Sequence, residues 1–402
     1  MRVLHIISEM DPKMGGVGQA VRTMVAGLTR LGIQNEIACL DAPDAPFLVD
    51  EKSIVYALGP GRGPWNYSKK LSYWLKANLT RFDTVIVHGL WLYNSYATYR
   101  VLLQLKAESK LNKQRRNFPK LFVMPHGMLD PYFQKAPGRK LKALRNQIFW
   151  KLAEHKLVNE ADALLFTSLT EQQLAREPFS PYKPKRELVV GLGTEEPPCY
   201  TTAIQQAFIQ QCPKIRNNPY ILFLSRIDDK KGVDILIQAY KKALNKSGSI
   251  PKLVIAGPGL ETAYGKQMQQ MVLDASLTDH IFFTGIVNGY SKWGAFYGCV
   301  AFVLPSHQEN FGIAVIEALA CGKPVLITDQ VNIWQEIKEA GAGLVAADSE
   351  DGVIGLIQML LLMNENEKAQ MGNQARALYQ KHFAITPATK RLFEAITSAH
   401  IC

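Results

Sequence analysis

Several short segments carry side chains whose types and spacing suit work on a phosphorylated substrate. Behind the apolar run Tyr220-Ile221-Leu222-Phe223-Leu224 comes Ser225-Arg226-Ile227-Asp228-Asp229-Lys230-Lys231-Gly232. The Arg226 guanidinium offers a planar fork of donors and Lys231 a compact ammonium, a pairing suited to a diphosphate that gains negative charge as its bond to a sugar breaks. Lys230 adjoins Lys231, so charge alone does not divide the role between them. Further on, Glu309-Asn310-Phe311-Gly312-Ile313-Ala314-Val315-Ile316-Glu317 follows Val303-Leu304-Pro305-Ser306. Glu309 has acceptor oxygens for vicinal hydroxyls, the N–H groups around Phe311, Gly312 and Ile313 open a helix where phosphate can bind, and Glu317 lies along that helix with oxygens for ribose hydroxyls.

Two further segments lie in the first half of the chain. His126 ends the run Leu121-Phe122-Val123-Met124-Pro125, with Gly127 behind it. An imidazole there could hydrogen-bond a substrate hydroxyl or polarise a leaving phosphate. The loop Gly15-Gly16-Val17-Gly18 follows a first strand and precedes a helix, so its N–H groups could face an anion, but its spacing is not G-x-G-x-x-G and does not support a dinucleotide site. Thr167, Ser168 and Glu171 also follow a strand; Ser168 and Glu171 have the spacing of an N-capping box as well as a place from which to shape a site. Taken singly, each feature has an ordinary alternative: a tight turn, a satisfied structural histidine, a solvated glutamate.

The elements that must hold these residues are legible in the alternation of short apolar runs with longer amphipathic stretches, the pattern of parallel strands joined by crossover helices. Strands are expected over residues 2–8, 37–40, 84–88, 121–125 and 163–167, with a helix over about residues 19–31. A second series runs over 220–224, 252–255, 281–283, 300–304 and 324–328. The fold class is α/β: two Rossmann-like, doubly wound domains facing across a cleft, with the chemistry in loops at the carboxyl ends of the strands. The first domain is expected over residues 1–195 and the second over 219–384, joined by a proline-rich linker over 196–218. The final helix, 385–402, is expected to be able to cross back to the first domain.

A chain of 402 residues is too long for one ordinary core, and 47% hydrophobic with 20% charged residues suits a soluble globular protein. The net charge of +11 is concentrated between Arg100 and Lys156, where fourteen Lys/Arg face only Glu108, Asp130 and Glu154. Such a block suits an anionic surface, or simply solubility. Cys39, Cys199, Cys212, Cys299, Cys321 and Cys402 show neither metal-ligand nor disulfide spacing and fit a reducing cytosol. No run reads as a secretory signal or a spanning helix.

Together the glycine loop at 15–18, Pro125-His126-Gly127, Ser225-Arg226 with Lys231-Gly232, and the E-x7-E motif from Glu309 to Glu317 resemble the retaining glycosyltransferases of family 4, which have the two-domain GT-B fold. The resemblance covers almost the whole chain, and E-x7-E with Phe311-Gly312 inside it and Ala320-Cys321-Gly322-Lys323-Pro324 behind it is its most specific part. It implies transfer of a hexose from a nucleotide-sugar, with UDP and GDP both open, to a hydroxyl of a saccharide or lipid-linked acceptor, with the anomeric configuration kept. Arg226 and Lys231 would then hold the diphosphate, Glu309 the sugar, Glu317 the ribose, and Asn310 to Ile313 the phosphate or sugar. The loops at Gly257 and at Gly285-Ile286 would read the base. Gly15, Gly16 and His126 would lie on the acceptor side, Gly16 also touching the donor, with His126 near the sugar and diphosphate and the leaving phosphate helping to deprotonate the acceptor. The chain departs from the family in Val190-Gly191-Leu192-Gly193-Thr194, where Asn-Gly-Val-Asp is frequent, and in Asp228-Asp229-Lys230, where a Pro-Glu spacer is frequent.

No Asp-x-Asp triplet occurs, so no essential metal and no cofactor are expected. Exopolysaccharide, lipopolysaccharide or glycolipid synthesis in the cytoplasm follows as the expected setting, with peripheral attachment to an anionic membrane through the basic block and the aromatics Trp65, Tyr67, Tyr73 and Trp74. Competing readings are a nucleotide-sugar epimerase or glycan phosphorylase on the same fold, and a nucleotide-sugar-binding regulator without turnover. Nucleic acid is not an expected partner, because the basic block holds no reader motif.

Overall fold

The computed structural model describes residues 1–402 apart from 13, 14, 114–116, 137 and 402, together with the side chains of all described residues but His400 and Ile401. Arg115 and Arg116 of the basic block, and Cys402, lie outside the described residues. The chain divides into two compact units: Met1–Gly193 with Ile385–Cys402, and Thr194–Ala384.

Unit 1 is built on a seven-stranded parallel sheet in the order β3-β2-β1-β4-β5-β6-β7. The strands are β1 Arg2–Ile6, β2 Gln34–Cys39, β3 Ile54–Ala57, β4 Thr84–His88, β5 Lys120–Met124, β6 Ala163–Phe166 and β7 Glu187–Val189. β4 is buried along its whole length, as helices covering both faces require. Each fully buried Val or Leu in such a strand contributes about 2 kcal/mol. Unit 1 also takes in the last helix, Ile385–Ile401, where a Cβ added at Gly27 would lie 2.0 Å from Thr389 Oγ1 and Arg391 Nε donates to the Val190 carbonyl at 3.1 Å.

Unit 2 holds a six-stranded parallel sheet, β10-β9-β8-β11-β12-β13, formed by β8 Tyr220–Leu224, β9 Lys252–Ala256, β10 Ile281–Gly285, β11 Ala301–Leu304, β12 Val325–Thr328 and β13 Gly343–Ala346. Residues 196–218 are not an extended connector. They contain the helix Thr202–Gln211, started by the Thr201 hydroxyl, which accepts from Ile204 N, and seated through buried Ile204, Phe208 and Ile209. Gly294 of a neighbouring helix lies so close that a Cβ there would sit 2.3 Å from the Ile204 carbonyl oxygen. Proline content marked this stretch as irregular; three apolar residues on one helical face bind it into unit 2.

Each sheet has a place where strand order reverses, between β1 and β4 in unit 1 and between β8 and β11 in unit 2. At such a point the two following loops diverge to opposite faces and leave an opening at the carboxyl edge. The segments with chemical potential follow β1 and β5 in unit 1, and β8, β9, β10 and β11 in unit 2.

Candidate active site

In unit 2 the loops after β8 and β11 meet side by side. Lys231 closes the short turn Asp229–Lys231, is 6% exposed, and donates from Nζ to Glu309 Oε2 at 2.6 Å. Lys230 reaches the neighbouring residue, donating to Gln308 Oε1 at 2.8 Å. Packing therefore separates two lysines that charge could not: the buried one is held against the first glutamate of E-x7-E. Gly232 makes the turn possible. Its φ is +64°, and a Cβ would stand 2.1 Å from the Pro305 carbonyl oxygen, so no side chain fits between the two loops. Arg226 points outward, with its side chain 70% exposed and Nη2 3.5 Å from Asp228 Oδ2.

The base loops expected around Gly257 and Gly285 come together, Gly257 N donating to the Gly285 carbonyl at 2.8 Å, and Ile227 N donates to the Pro258 carbonyl at 2.8 Å. A Cβ at Gly257, where φ is +137°, would lie 1.8 Å from the Ser225 oxygen, which ties this loop to the Arg226 segment. Ile286 is exposed.

Gly312 caps the helix Ile313–Ala320 without a side-chain hydrogen bond. Asn310 Oδ1 accepts from Asn332 Nδ2 at 3.3 Å. The Phe311 ring turns into the core, 4% exposed and edge-on to Phe383 at 5.8 Å, which leaves only its backbone for a ligand. Glu317 lies farther along the helix, where Lys292 Nζ donates to its Oε1 at 2.7 Å. A groove of about 450 Å³ lined by Gln211, Phe282 and Phe283 includes none of Arg226, Lys231, Glu309 or Glu317.

In unit 1 a pocket of about 220 Å³ opens where the strand order reverses, lined on one side by Glu9, Asp11, Gly15, Val17 and Gly18 and on the other by His88, Leu90 and Asn94. Gly16 opens the helix Gly16–Arg30 behind it. Burial, and then Asp41 and Asp11, push the Glu9 carboxyl above the usual carboxylate range.

His126 reaches this pocket through a second histidine. His126 Nε2 lies 2.9 Å from His88 Nδ1, and His88 Nε2 lies 3.0 Å from His5 Nδ1. The rings form a row, with centroids 5.3 Å apart for His5 and His88 and 5.2 Å apart for His88 and His126. His5 Nε2 meets Asn35 Oδ1 at 3.3 Å. Burial lowers His5 and His126 to about 4 and His88 well below its ordinary value, the last with help from its two neighbours, so the row is neutral near pH 7.

His126 has φ +52°, in the left-handed region that costs a non-glycine residue about 1 kcal/mol. Glu171 holds the turn. Its Oε1 accepts from Gly127 N at 2.5 Å, and its Oε2 accepts from Thr167 N at 2.7 Å and Thr167 Oγ1 at 2.6 Å. Ser168 does cap its helix, accepting from Glu171 N at 3.0 Å, but the glutamate side chain binds the His126 turn instead of returning to the cap. Trp65 and Trp74, considered above as interfacial aromatics, pack against the unit 1 core, Trp74 lying 4.6 Å from Tyr56. Tyr67 and Tyr73 are exposed.

Sequence reasoning overlooked His5, His88, Asn35 and Lys292. The three histidines come from β1, from β4 and from the loop after β5, and only the strand order β1-β4-β5 places them in line.

Residues 15–193 match the model of the glycosyl transferase 4-like domain and residues 205–378 that of glycosyl transferases group 1. An uncharacterised glycosyltransferase of Methanocaldococcus jannaschii is 28% identical over 40% of this chain and 40% of its own length. A D-inositol 3-phosphate glycosyltransferase of Gordonia bronchialis is 26% identical over 56% of this chain and 50% of its own. A GDP-mannose-dependent alpha-(1-6)-phosphatidylinositol monomannoside mannosyltransferase of Mycolicibacterium smegmatis is 23% identical over 63% of this chain and 68% of its own. The chain thus spans about half the length of the first two of these relatives. Among solved structures, Anabaena HepE in complex with UDP and glucose has a TM-score of 0.72 at 17% identity, covering 99% of this chain and 100% of that one. Sucrose-phosphate synthase from Thermosynechococcus elongatus has a TM-score of 0.75 at 18% identity, with both chains fully covered. The two sheets, the loops at their carboxyl edges and both family models agree: the chain belongs to the family 4-like, group 1 glycosyltransferases of GT-B fold.

Proposed function

We propose that the chain transfers a hexose from a UDP- or GDP-sugar to a hydroxyl of a saccharide or lipid-linked acceptor with retention of configuration. The observation that carries this reading is the Lys231–Glu309 pair, set beside the Arg226 loop where the unit 2 sheet reverses its order. As the anomeric C–O bond breaks, its electron pair goes to the diphosphate. Arg226 is exposed and able to meet that charge, and the Lys231 ammonium has N–H groups beyond the one Glu309 uses. Glu309 Oε1 has no protein partner among the described residues, which suits it to a sugar hydroxyl. Glu317 takes the ribose, with Lys292 fixing one of its oxygens. The Gly257 and Gly285 loops meet the base, and the pocket at Gly15 and Gly18 takes the acceptor. No metal ion is needed if these cations and the helix start at Gly312 neutralise the leaving group.

The test is incubation with a panel of UDP- and GDP-sugars in the presence of a chelator, following nucleotide release and the first-formed sugar anomer by NMR. Slow hydrolysis of one α-linked donor to the α-sugar supports the reading. A β-sugar as first product refutes retention, dependence on added divalent ions refutes the metal-free scheme, and release of an altered sugar-nucleotide favours the epimerase.

A role at an anionic membrane in glycolipid or polysaccharide synthesis is supported by the helix Lys140–Phe149. Leu141, Leu144 and Ile148 share one face at i, i+3, i+7 spacing and are exposed at 85%, 59% and 49%, followed by Leu152 at 72%, while Asn146 is buried. The helix therefore turns its apolar stripe outward, among exposed Lys140, Lys142, Arg145 and Lys151, the arrangement of an interfacial helix. No helix among the described residues is long and apolar enough to cross a membrane. Flotation with phosphatidylglycerol vesicles should enrich the parent and lose a Leu141→Ser/Leu144→Ser/Leu152→Ser variant; no enrichment of the parent rejects the attachment.

A further inference from the structure

The row of histidines has a definite sense, set at its buried end. Asn35 Nδ2 donates to the Ile33 carbonyl at 2.9 Å and to Thr29 Oγ1 at 3.2 Å. A backbone carbonyl only accepts, so the amide is oriented and Oδ1 is the atom that faces His5 Nε2 at 3.3 Å. That oxygen also only accepts, which makes His5 Nε2 the protonated nitrogen. A neutral imidazole has a single N–H, so His5 Nδ1 carries a lone pair and the 3.0 Å contact must be donated by His88 Nε2. The same step repeats: His88 Nδ1 carries a lone pair, and His126 Nε2 donates to it at 2.9 Å. Reversing any member would set two lone pairs or two N–H groups against each other in a buried place, at a cost of about 1–3 kcal/mol. His5 and His88 are 0% and 2% exposed, so water cannot relieve such a conflict.

We propose that Asn35, acting through His5 and His88, is a positioning residue that holds His126 in the Nε2–H tautomer and leaves its Nδ1 as a hydrogen-bond acceptor for a hydroxyl of the transferred sugar. The kinetic part rests on the reading of the chain as a glycosyltransferase with His126 at the sugar; the tautomer does not. Among the described residues no protein group faces His126 Nδ1. A bare nitrogen lone pair accepts from a hydroxyl and repels a phosphate oxygen. The row thereby separates the two roles open to His126 from its sequence position: it serves the sugar and not the leaving phosphate.

The experiment begins with substrate-free protein labelled with 15N in its histidine rings. Two-bond 15N–1H correlation distinguishes the tautomers, and His126→Asn identifies the His126 signals among those of the eight histidines. The parent is expected to show His126 protonated on Nε2 and bare on Nδ1; a His126 protonated on Nδ1 overturns the proposal whether or not a substrate is ever found. Asn35→Leu removes the anchor and should shift His126 to a mixture of tautomers with the melting transition still cooperative; an unchanged pure Nε2–H signal refutes control by Asn35. With the donor found by the nucleotide-sugar panel, His88→Leu should lose about tenfold in kcat, the value of one hydrogen bond, whereas His88→Gln, which offers one acceptor and one donor as imidazole does, should recover part of that loss. Equal losses in the two variants, at equal melting temperatures, refute the relay while leaving the transferase reading intact.

Discussion

Glu154 ties the stability of unit 1 to pH. It is 2% exposed, and its Oε1 accepts from Trp91 N at 3.0 Å and from Ser95 Oγ at 2.9 Å, while Oε2 has no partner. Trp91 adopts φ +72° between Leu90 and Leu92, which line the unit 1 pocket, so this carboxyl anchors one wall of the pocket proposed above for the acceptor. Burial raises it from 4.5 to about 7, against the opposing pull of the Ser95 and Trp91 bonds. The unfolded chain therefore releases the proton near pH 4.5 and the folded chain near pH 7. Between those values the folded state binds more protons, so stability falls as pH rises, and the full deficit is present above the folded value. The gap converts to about 3 kcal/mol. Glu154→Gln keeps an acceptor for both donors and cannot ionise. Any effect of its buried amide is independent of pH, so the difference between variant and parent isolates the titration. Urea denaturation should show that difference moving in favour of the variant by about 3 kcal/mol from pH 4.5 to about pH 8. A difference that stays flat across this range would refute the argument that burial governs this carboxyl.

The histidine row works in the opposite direction. His5 is lowered from 6.5 to about 4 by burial, so its contribution is complete above pH 6.5 and is lost as pH falls through the window, by about 3 kcal/mol; urea midpoints should show His5→Gln losing less stability on acidification than the parent, and identical slopes would contradict this. Arg226→Ala removes an outward-facing side chain with one long contact, so the melting curve should match the parent within about 0.5 kcal/mol while donor turnover drops about a hundredfold; unchanged turnover removes Arg226 from the site. Glu309→Gln weakens a charged hydrogen bond to a nearly buried lysine, with an expected loss of about 1–2 kcal/mol in chemical denaturation and a turnover loss well beyond what that predicts; near-normal turnover would reject its role.

What was legible in the sequence follows from how local each signal is. β4 and β8 could be read to the residue because strands covered on both faces carry an unbroken apolar stretch, Val85-Ile86-Val87 in β4 and Tyr220 to Leu224 in β8. β3, β7 and β13 were missed because they are short sheet-edge strands only partly buried, and Glu187-Leu188-Val189 or Gly343-Leu344-Val345-Ala346 has no length in which a period can emerge. The unit 2 motifs were visible for the same reason as the inner strands: Arg226 and Lys231 occupy one loop, Glu309 and Glu317 one loop and its helix. Which lysine meets Glu309 was not, since that depends on Gly232 admitting the Pro305 carbonyl and turning Lys231 inward. The unit 1 site was least legible. His5, His88 and His126 are separated by 83 and 38 residues, and as isolated histidines each favours the ordinary structural reading. Parallel pairing of β1 with β4 and of β4 with β5 turns three such residues into one hydrogen-bonded row. A neutral row anchored by a single amide transmits direction as well as position, because each ring has only one proton to give. The structural reading and the functional reading of His126 are therefore not alternatives: the contacts that satisfy its Nε2 are what leave its Nδ1 free to accept.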